Sequence, residues 1–158
     1  MVAQTEAQAE AIVSSLELQI SLFFHCRFSI VHVLILIIMQ WQWQSRFEFQ
    51  AMSAALWSVV EACRLYLGYA GNLGEQVPHL FGFLFLSVFP QAMLLVFIMA
   101  LQWRHGANAV CIVMNCLQMA FTCSQLLFGS GAIRAVIRSQ TEKFKRKTRR
   151  KTQKLLSE

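Results

Sequence analysis

From Val77 to Leu101 the chain carries no Asp, Glu, Lys or Arg. That run of roughly 25 residues makes about 37 Å of helix at 1.5 Å per residue. A bilayer has a hydrocarbon core of about 30 Å, so the run is long enough to cross it. Pro90, near its middle, removes one backbone hydrogen bond and predicts a kink. Trp103, Arg104 and His105 close the run.

Three further stretches have the same character. Cys26 to Trp43 has Arg27 at one end, where it can snorkel, and Trp41 and Trp43 at the interface that Trp prefers. Ala51 to Leu67 is interrupted by Glu61 and Arg64. In the last stretch, Ala107 to Phe128, the following Gly129-Ser130-Gly131 predicts a loosened or ended helix. Gln44 to Gln50 reads as a short polar loop. Gly68 to Pro78 reads as a turn, with Gly68, Gly71 and Gly74 supplying flexible backbone and Pro78 suited to the next helix's first turn. Upstream, Ile12, Val13, Leu16, Ile20, Phe23 and Phe24 fall at helical spacing, with Ser14, Glu17 and Ser21 opposite. This pattern predicts an amphipathic helix lying in the membrane interface.

The expectation is an all-α membrane protein: four transmembrane helices preceded by an amphipathic interfacial helix and followed by a basic tail. The divisions are a flexible 1–11, a membrane domain over 12–138 and a tail over 139–158. Composition agrees: 56% of residues are hydrophobic and 14% charged, against about 25% charged in soluble domains.

Charge is concentrated at one end. Up to residue 133, Arg27, Arg46, Arg64 and Arg104 oppose six glutamates, a net −2. From residue 134 onward, ten basic residues oppose Glu142 and Glu158, a net +8. The positive-inside rule puts this tail in the cytoplasm, and four spans put the N-terminus there too. Trp41, Trp43 and Trp103 then fall on the outer side, and Arg27, Arg64, Tyr66 and Tyr69 on the inner side. Arg138, Lys143, Lys145, Arg146, Lys147, Arg149, Arg150 and Lys151 are expected to meet anionic inner-leaflet headgroups, at about 1 kcal/mol per residue near the surface. So apolar a body argues against a nucleic-acid partner.

The chain contains no Asp, which removes aspartic dyads and Asp-oriented His triads. Cys26, Cys63, Cys111, Cys116 and Cys123 match no zinc or redox spacing and read as small apolar fillers. The beginning of the sequence reads as neither a signal peptide nor a myristoylation site. No paired nucleophile is evident, so no enzymatic reaction and no cofactor are expected.

Glu61 and Arg64, three apart, share a helix face. Glu61 is expected about two turns from the inner end, where an unpaired charge costs at least a few kcal/mol. The pair is expected to orient the second span and anchor the loop after it. Gly68, Gly71, Asn72 and Pro78 are expected to shape that loop as a cytoplasmic contact surface. His25 reads as a headgroup contact and His32 as an interhelical hydrogen bond. Asn115, Gln118 and Gln125 lie close to one stripe that should face another helix. An alternative is a small oligomeric ion or proton transporter, or channel, that uses Glu61 and His32.

Glu61-Ala62-Cys63-Arg64-Leu65 and Gly71-Asn72-Leu73, continuing to Pro78, resemble the second span and following loop of the transmembrane protein 17 family. Val13 to Leu22 is similar to the segment before that family's first span. The likeness runs over roughly Val13 to Arg138, and the chain departs from it in a short N-terminus and a dense Lys/Arg tail. The resemblance implies a non-enzymatic, four-pass protein of the ciliary transition zone. It implies membership of the Meckel-syndrome module with tectonics and related tetraspan proteins. That module supports ciliogenesis and acts as a diffusion barrier to membrane proteins entering the cilium.

Overall fold

The computed structural model describes residues 14–42, 47–104 and 108–157. Its elements are α1 (Leu16–Gln42), α2 (Phe47–Leu73), α3 (Val77–Leu86), α4 (Met93–Arg104) and α5 (Ala109–Ser157). Among the described residues there is no strand. The expected flexible 1–11, Ile12, Val13, Trp43 and His105 lie outside the described residues, as does the side chain of Trp41.

Helical stretches long and apolar enough to cross a membrane are Leu16–Ile38, Val77–Arg104 and Ala109–Gln153. α2 has 27 residues, about 40 Å, but Glu61 and Arg64 dilute its apolar middle. It packs beside α1 and α3.

α3 and α4 form one apolar rod bent at Ser87–Ala92. Pro90 lies in the bend and Phe89 before it is extended, at φ −137 and ψ 119. A residue preceding proline is pushed out of the helical region, so the predicted kink has its expected cause.

The other helix boundaries depart from expectation. Among the described residues, 16–24 of the expected amphipathic helix are not separate from the first span, because α1 is continuous from Leu16 to Gln42. Ser15 caps it: its Oγ accepts from Leu18 N at 3.3 Å. The apolar face of Leu16, Ile20, Phe23 and Phe24 points outward, while Leu18 and Leu22 are buried in the bundle. Gly68 to Pro78 is not one long turn either. α2 continues to Leu73, leaving only residues 74–76 between helices, with Glu75 at a positive φ of 49. Likewise Gly129-Ser130-Gly131 neither ends nor breaks α5, a single helix of 49 residues. Gln, Lys and Arg downstream are good helix formers, and each interior glycine costs only about 1 kcal/mol.

The inward stripe of α1 is Leu18, Leu22, His25, Ser29, His32 and Leu36. That of α5 includes Cys111, Asn115, Gln118, Thr122, Gln125, Gly129, Ala132 and Val136. Steps of three and four residues along both give the near-3.5 repeat of helices packed side by side. The core is layered. Leu18, Leu22, Leu65, Leu80, Phe83, Ala132 and Val136 form one apolar cluster, and Leu36, Trp57 and Ile98 the other. Between them lies a polar layer. The outer surface carries exposed apolar side chains on every helix, which suits lipid rather than water.

Both the start of α1 and the basic part of α5 meet the 74–76 turn. Asn72 binds Ser15, and Glu75 O accepts from Gln140 Nε2 at 2.8 Å. Lys143 Nζ lies 3.4 Å from Glu75 Oε2. Beyond Lys143 the helix continues to Ser157 for about 21 Å.

Only Cys111 is a buried filler. Cys63, Cys116 and Cys123 are exposed, Cys26 is half-buried, and all five are free thiols.

Candidate functional site

The polar layer is built on Glu61 and Arg64. Because α2 reaches Leu73, Glu61 lies about 18 Å from that end and about 21 Å from Phe47. It is a mid-helix charge, not one near an interface. Its relative exposure is 3%, and that of Arg64 is 0%.

The pair is bidentate. Arg64 Nε donates to Glu61 Oε2 at 3.0 Å, and Arg64 Nη2 to Oε1 at 2.9 Å. Arg64 Nη2 also reaches His25 Nδ1 at 3.0 Å. Its Nη1 donates to Gln125 Oε1 at 2.6 Å and to Ser87 Oγ at 3.4 Å. A guanidinium has five N–H donors, and here all five have acceptors. The guanidinium carbon also lies 5.5 Å from the centre of the Phe83 ring.

Glu61 is similarly saturated. Besides Arg64, its Oε1 accepts from Ser29 Oγ at 2.8 Å and Gln118 Nε2 at 3.3 Å, and Oε2 from Gln91 Nε2 at 2.7 Å. His25 Nε2 lies 3.4 Å from Oε1. Since His25 Nδ1 accepts from Arg64, its ring proton sits on Nε2, facing Glu61. The ring stacks on Phe121 at 5.0 Å. The two charges are thus tied to α1, to the α3–α4 bend and to α5.

His25 is therefore a member of the polar layer and makes no headgroup contact; it is 0% exposed. His32 does make the expected interhelical bond, to Asn115 Oδ1 at 3.1 Å, and Asn115 Nδ2 donates to Gln102 Oε1 at 2.6 Å. The stripe of Asn115, Gln118 and Gln125 faces inward as its spacing predicted. Gln91 is a span amide of the kind expected to bond across helices, and it does so to Glu61. Ser29 and Ser87 are partners that sequence reasoning did not select. A signal existed for Ser29: His25, Ser29 and His32 stand at i, i+4 and i+7 in an otherwise apolar helix.

Gly68, Gly71 and Asn72 lie inside α2 and are buried, so they form no exposed loop surface. A Cβ on Gly71 would come within 2.7 Å of Leu80 N, and one on Gly68 within 2.9 Å of Leu22 Cδ2. These glycines permit close helix crossings. Asn72 holds the start of α1: its Oδ1 accepts from Ser15 N at 3.0 Å, while Nδ2 donates to Ser15 O at 3.0 Å and Gln19 Oε1 at 2.9 Å. Pro78 is exposed in the first turn of α3.

The site contains no nucleophile poised beside a base. It contains a carboxylate and a guanidinium neutralising one another, with five side chains, Gln91, Gln118, Gln125, Ser29 and Ser87, closing their remaining contacts from other helices. Such an arrangement fixes helix register. Among the described residues, no group of three His, Cys, Asp or Glu side chains is placed to hold a metal ion.

Residues 16–122 match the model of a family described as a predicted membrane protein, Transmemb_17. The chain is 32% identical to transmembrane protein 17B of Danio rerio over 87% of this chain and 74% of that protein. It is 36% identical to transmembrane protein 17 of Homo sapiens over 60% of this chain and 50% of that one. It is 38% identical to transmembrane protein 17A of Xenopus tropicalis over 56% of this chain and 50% of that protein. The match thus spans about half the length of the human and frog relatives. No solved structure matches. The family model covers most of the chain, from the start of α1 into α5, so this chain belongs to the transmembrane protein 17 family.

Proposed function

We propose that the protein is a non-enzymatic, four-pass scaffold subunit of the ciliary transition zone. In this reading it works with tectonics and related tetraspan proteins of the Meckel-syndrome module in ciliogenesis and in the barrier to ciliary membrane entry. The family resemblance supplies the location. The observation that carries the scaffold role is the Glu61–Arg64 pair, whose carboxylate and guanidinium are fully bonded to one another and to side chains of the neighbouring helices, although His25 Nε2, His32 Nδ1, Gln91 Oε1 and Gln118 Oε1 beside them have no hydrogen-bond partner among the described residues. A conducting path would need the two charged groups free to exchange partners with ions or water.

The four-pass reading is supported by α2 lying alongside α1 and α3 and being about as long as a bilayer is thick. The meeting of Ser15, the 74–76 turn and Lys143 at one end supports an even number of passes. With the Lys/Arg bias, both ends of the bundle's chain then lie in the cytoplasm.

Glu61, Arg64, Gly68, Gly71 and Asn72 serve partner binding indirectly, by holding the surface that partners meet. Pro78 is the member of that set open to direct contact. Arg138 and Lys143, level with the turn, meet anionic headgroups. Lys145, Arg146, Lys147, Arg149 and Lys151 extend that positive surface along the projecting helix, and the side chain of Arg150 lies outside the described residues.

Affinity recovery of tagged full-length protein from ciliated cells tests the reading. Wild-type protein recovers tectonics and sibling tetraspan proteins, and Arg64→Leu recovers several-fold less at equal abundance. Failure of the wild type to recover any of them overturns the reading. A proton or ion flux from the purified protein in liposomes, abolished by Glu61→Gln, would replace it with transport.

A further inference from the structure

Between α4 and α5, at the Trp103 end, lies a crevice of about 570 Å³. Its walls include Val96, Met99, Cys116 and Met119, with polar atoms from Gln102 and Asn115. It lies between two stretches long and apolar enough to cross a membrane. Val96 and Cys116 on its rim are exposed, so it opens sideways toward lipid. A crevice so apolar is poorly suited to water, which needs two to four polar partners.

The polar atoms have a direction. His32 Nε2 bonds Asn115 Oδ1, and Asn115 Nδ2 donates to Gln102 Oε1. The amide oxygen of Gln102 is therefore used, while its Nε2 donates to no acceptor among the described residues. A hydrogen-bond chain that starts in the core thus ends as an N–H donor at the crevice. Gln102 sits beside Trp103 and two residues from the end of α4, at interface depth. Val96 lies about 9 Å deeper along the same helix.

An occupant must therefore carry one hydrogen-bond acceptor at interface depth and a rigid or slender apolar body below it. The volume fits a single small-ligand site, within roughly 300–1,000 Å³, and is small for a two-chain phospholipid with its headgroup. Methionines on both walls can adapt to a flat, ridged surface. We propose that this crevice binds one sterol, whose hydroxyl oxygen accepts from Gln102 Nε2 and whose fused rings lie along Val96, Met99 and Met119.

The test uses the full chain in nanodiscs of phosphatidylcholine with a photoreactive diazirine sterol as probe. Labelling is expected to concentrate on peptides covering residues 96–103 and 112–119. Excess unlabelled sterol should remove it, and an analogue lacking the hydroxyl should compete about 3- to 30-fold less well, as for loss of one intramembrane hydrogen bond. Gln102→Leu should weaken wild-type sterol binding by a similar factor. Cys116→Trp should fill the crevice and reduce labelling at least tenfold, whereas Leu127→Trp, on an exposed face, should leave it unchanged. Labelling spread evenly over the lipid-facing helices, or insensitive to competitor, overturns the proposal. So does equal competition by the analogue lacking the hydroxyl, which would make the crevice a general acyl-chain groove. If Cys116→Trp does not fold, peptide mapping and competition on the wild-type chain decide the matter.

Discussion

Removing one member of the central ion pair should harm the bundle almost as much as removing both. In Arg64→Leu the Glu61 carboxylate stays at 3% exposure with only Ser29, Gln91, Gln118 and His25 near its oxygens. Stranding one partner of a buried pair costs about 3–5 kcal/mol. Glu61→Leu strands the Arg64 guanidinium with three hydrogen-bond partners left, a cost of similar size, about 3–5 kcal/mol. The double variant strands no charge. It leaves amides and hydroxyls short of partners, at about 0.6–2 kcal/mol for each lost intramembrane hydrogen bond. The two single costs together come to about 6–10 kcal/mol, and the double variant is expected well below that, near 3–5 kcal/mol. Their coupling should therefore exceed about 2 kcal/mol, high in the range for residues in direct contact. Unfolding in mixed micelles by added dodecyl sulfate, followed by circular dichroism, measures it. Additivity within about 0.5 kcal/mol would mean the residues act independently, and the reasoning would fail.

The glycines give a paired contrast. Gly71→Ala drives a Cβ to 2.7 Å from the Leu80 backbone and should cost about 1–3 kcal/mol, whereas Gly131→Ala meets nothing within 4 Å and should be neutral or stabilise by up to about 1 kcal/mol; thermal melts in detergent compare the two. Asn72→Ala removes three hydrogen bonds to Ser15 and Gln19 and should cost about 1–3 kcal/mol, with faster amide exchange confined to the first turns of α1; unchanged exchange there would deny Asn72 its anchoring role. An engineered cysteine after Ser157 should react with an impermeant maleimide only once cells are permeabilised, and labelling on intact cells would reverse the assigned orientation.

Patterns local to one helix were legible in the sequence. The Pro90 bend follows from a missing N–H and a ring clash, which no neighbour can repair. The inward stripe of Asn115, Gln118 and Gln125 follows from spacing alone. The Glu61–Arg64 contact was visible as i, i+3. What was not legible depends on a second helix. Gly68 and Gly71 look like turn residues until Leu22 and Leu80 are seen against them. The exposed face of Leu16, Ile20, Phe23 and Phe24 looked like an interfacial helix because apolar residues were assumed to face inward or to lie flat; in a bilayer the outward face is apolar too. Misplacing the end of α2 then placed Glu61 too near an interface. It also hid the roles of His25, Ser29 and Ser87, which meet Glu61 and Arg64 only across helices.

Live imaging of the fluorescently tagged chain in ciliated cells, beside its Glu61→Leu, Arg64→Leu and double variants at matched abundance, tests the central claim most directly. The account predicts wild-type signal confined to the base of the cilium, loss of that confinement in each single variant, and partial recovery in the double. Uniform plasma-membrane signal from the wild type would contradict the transition-zone assignment, and unaltered confinement in both single variants would contradict a role for the ion pair in holding the scaffold.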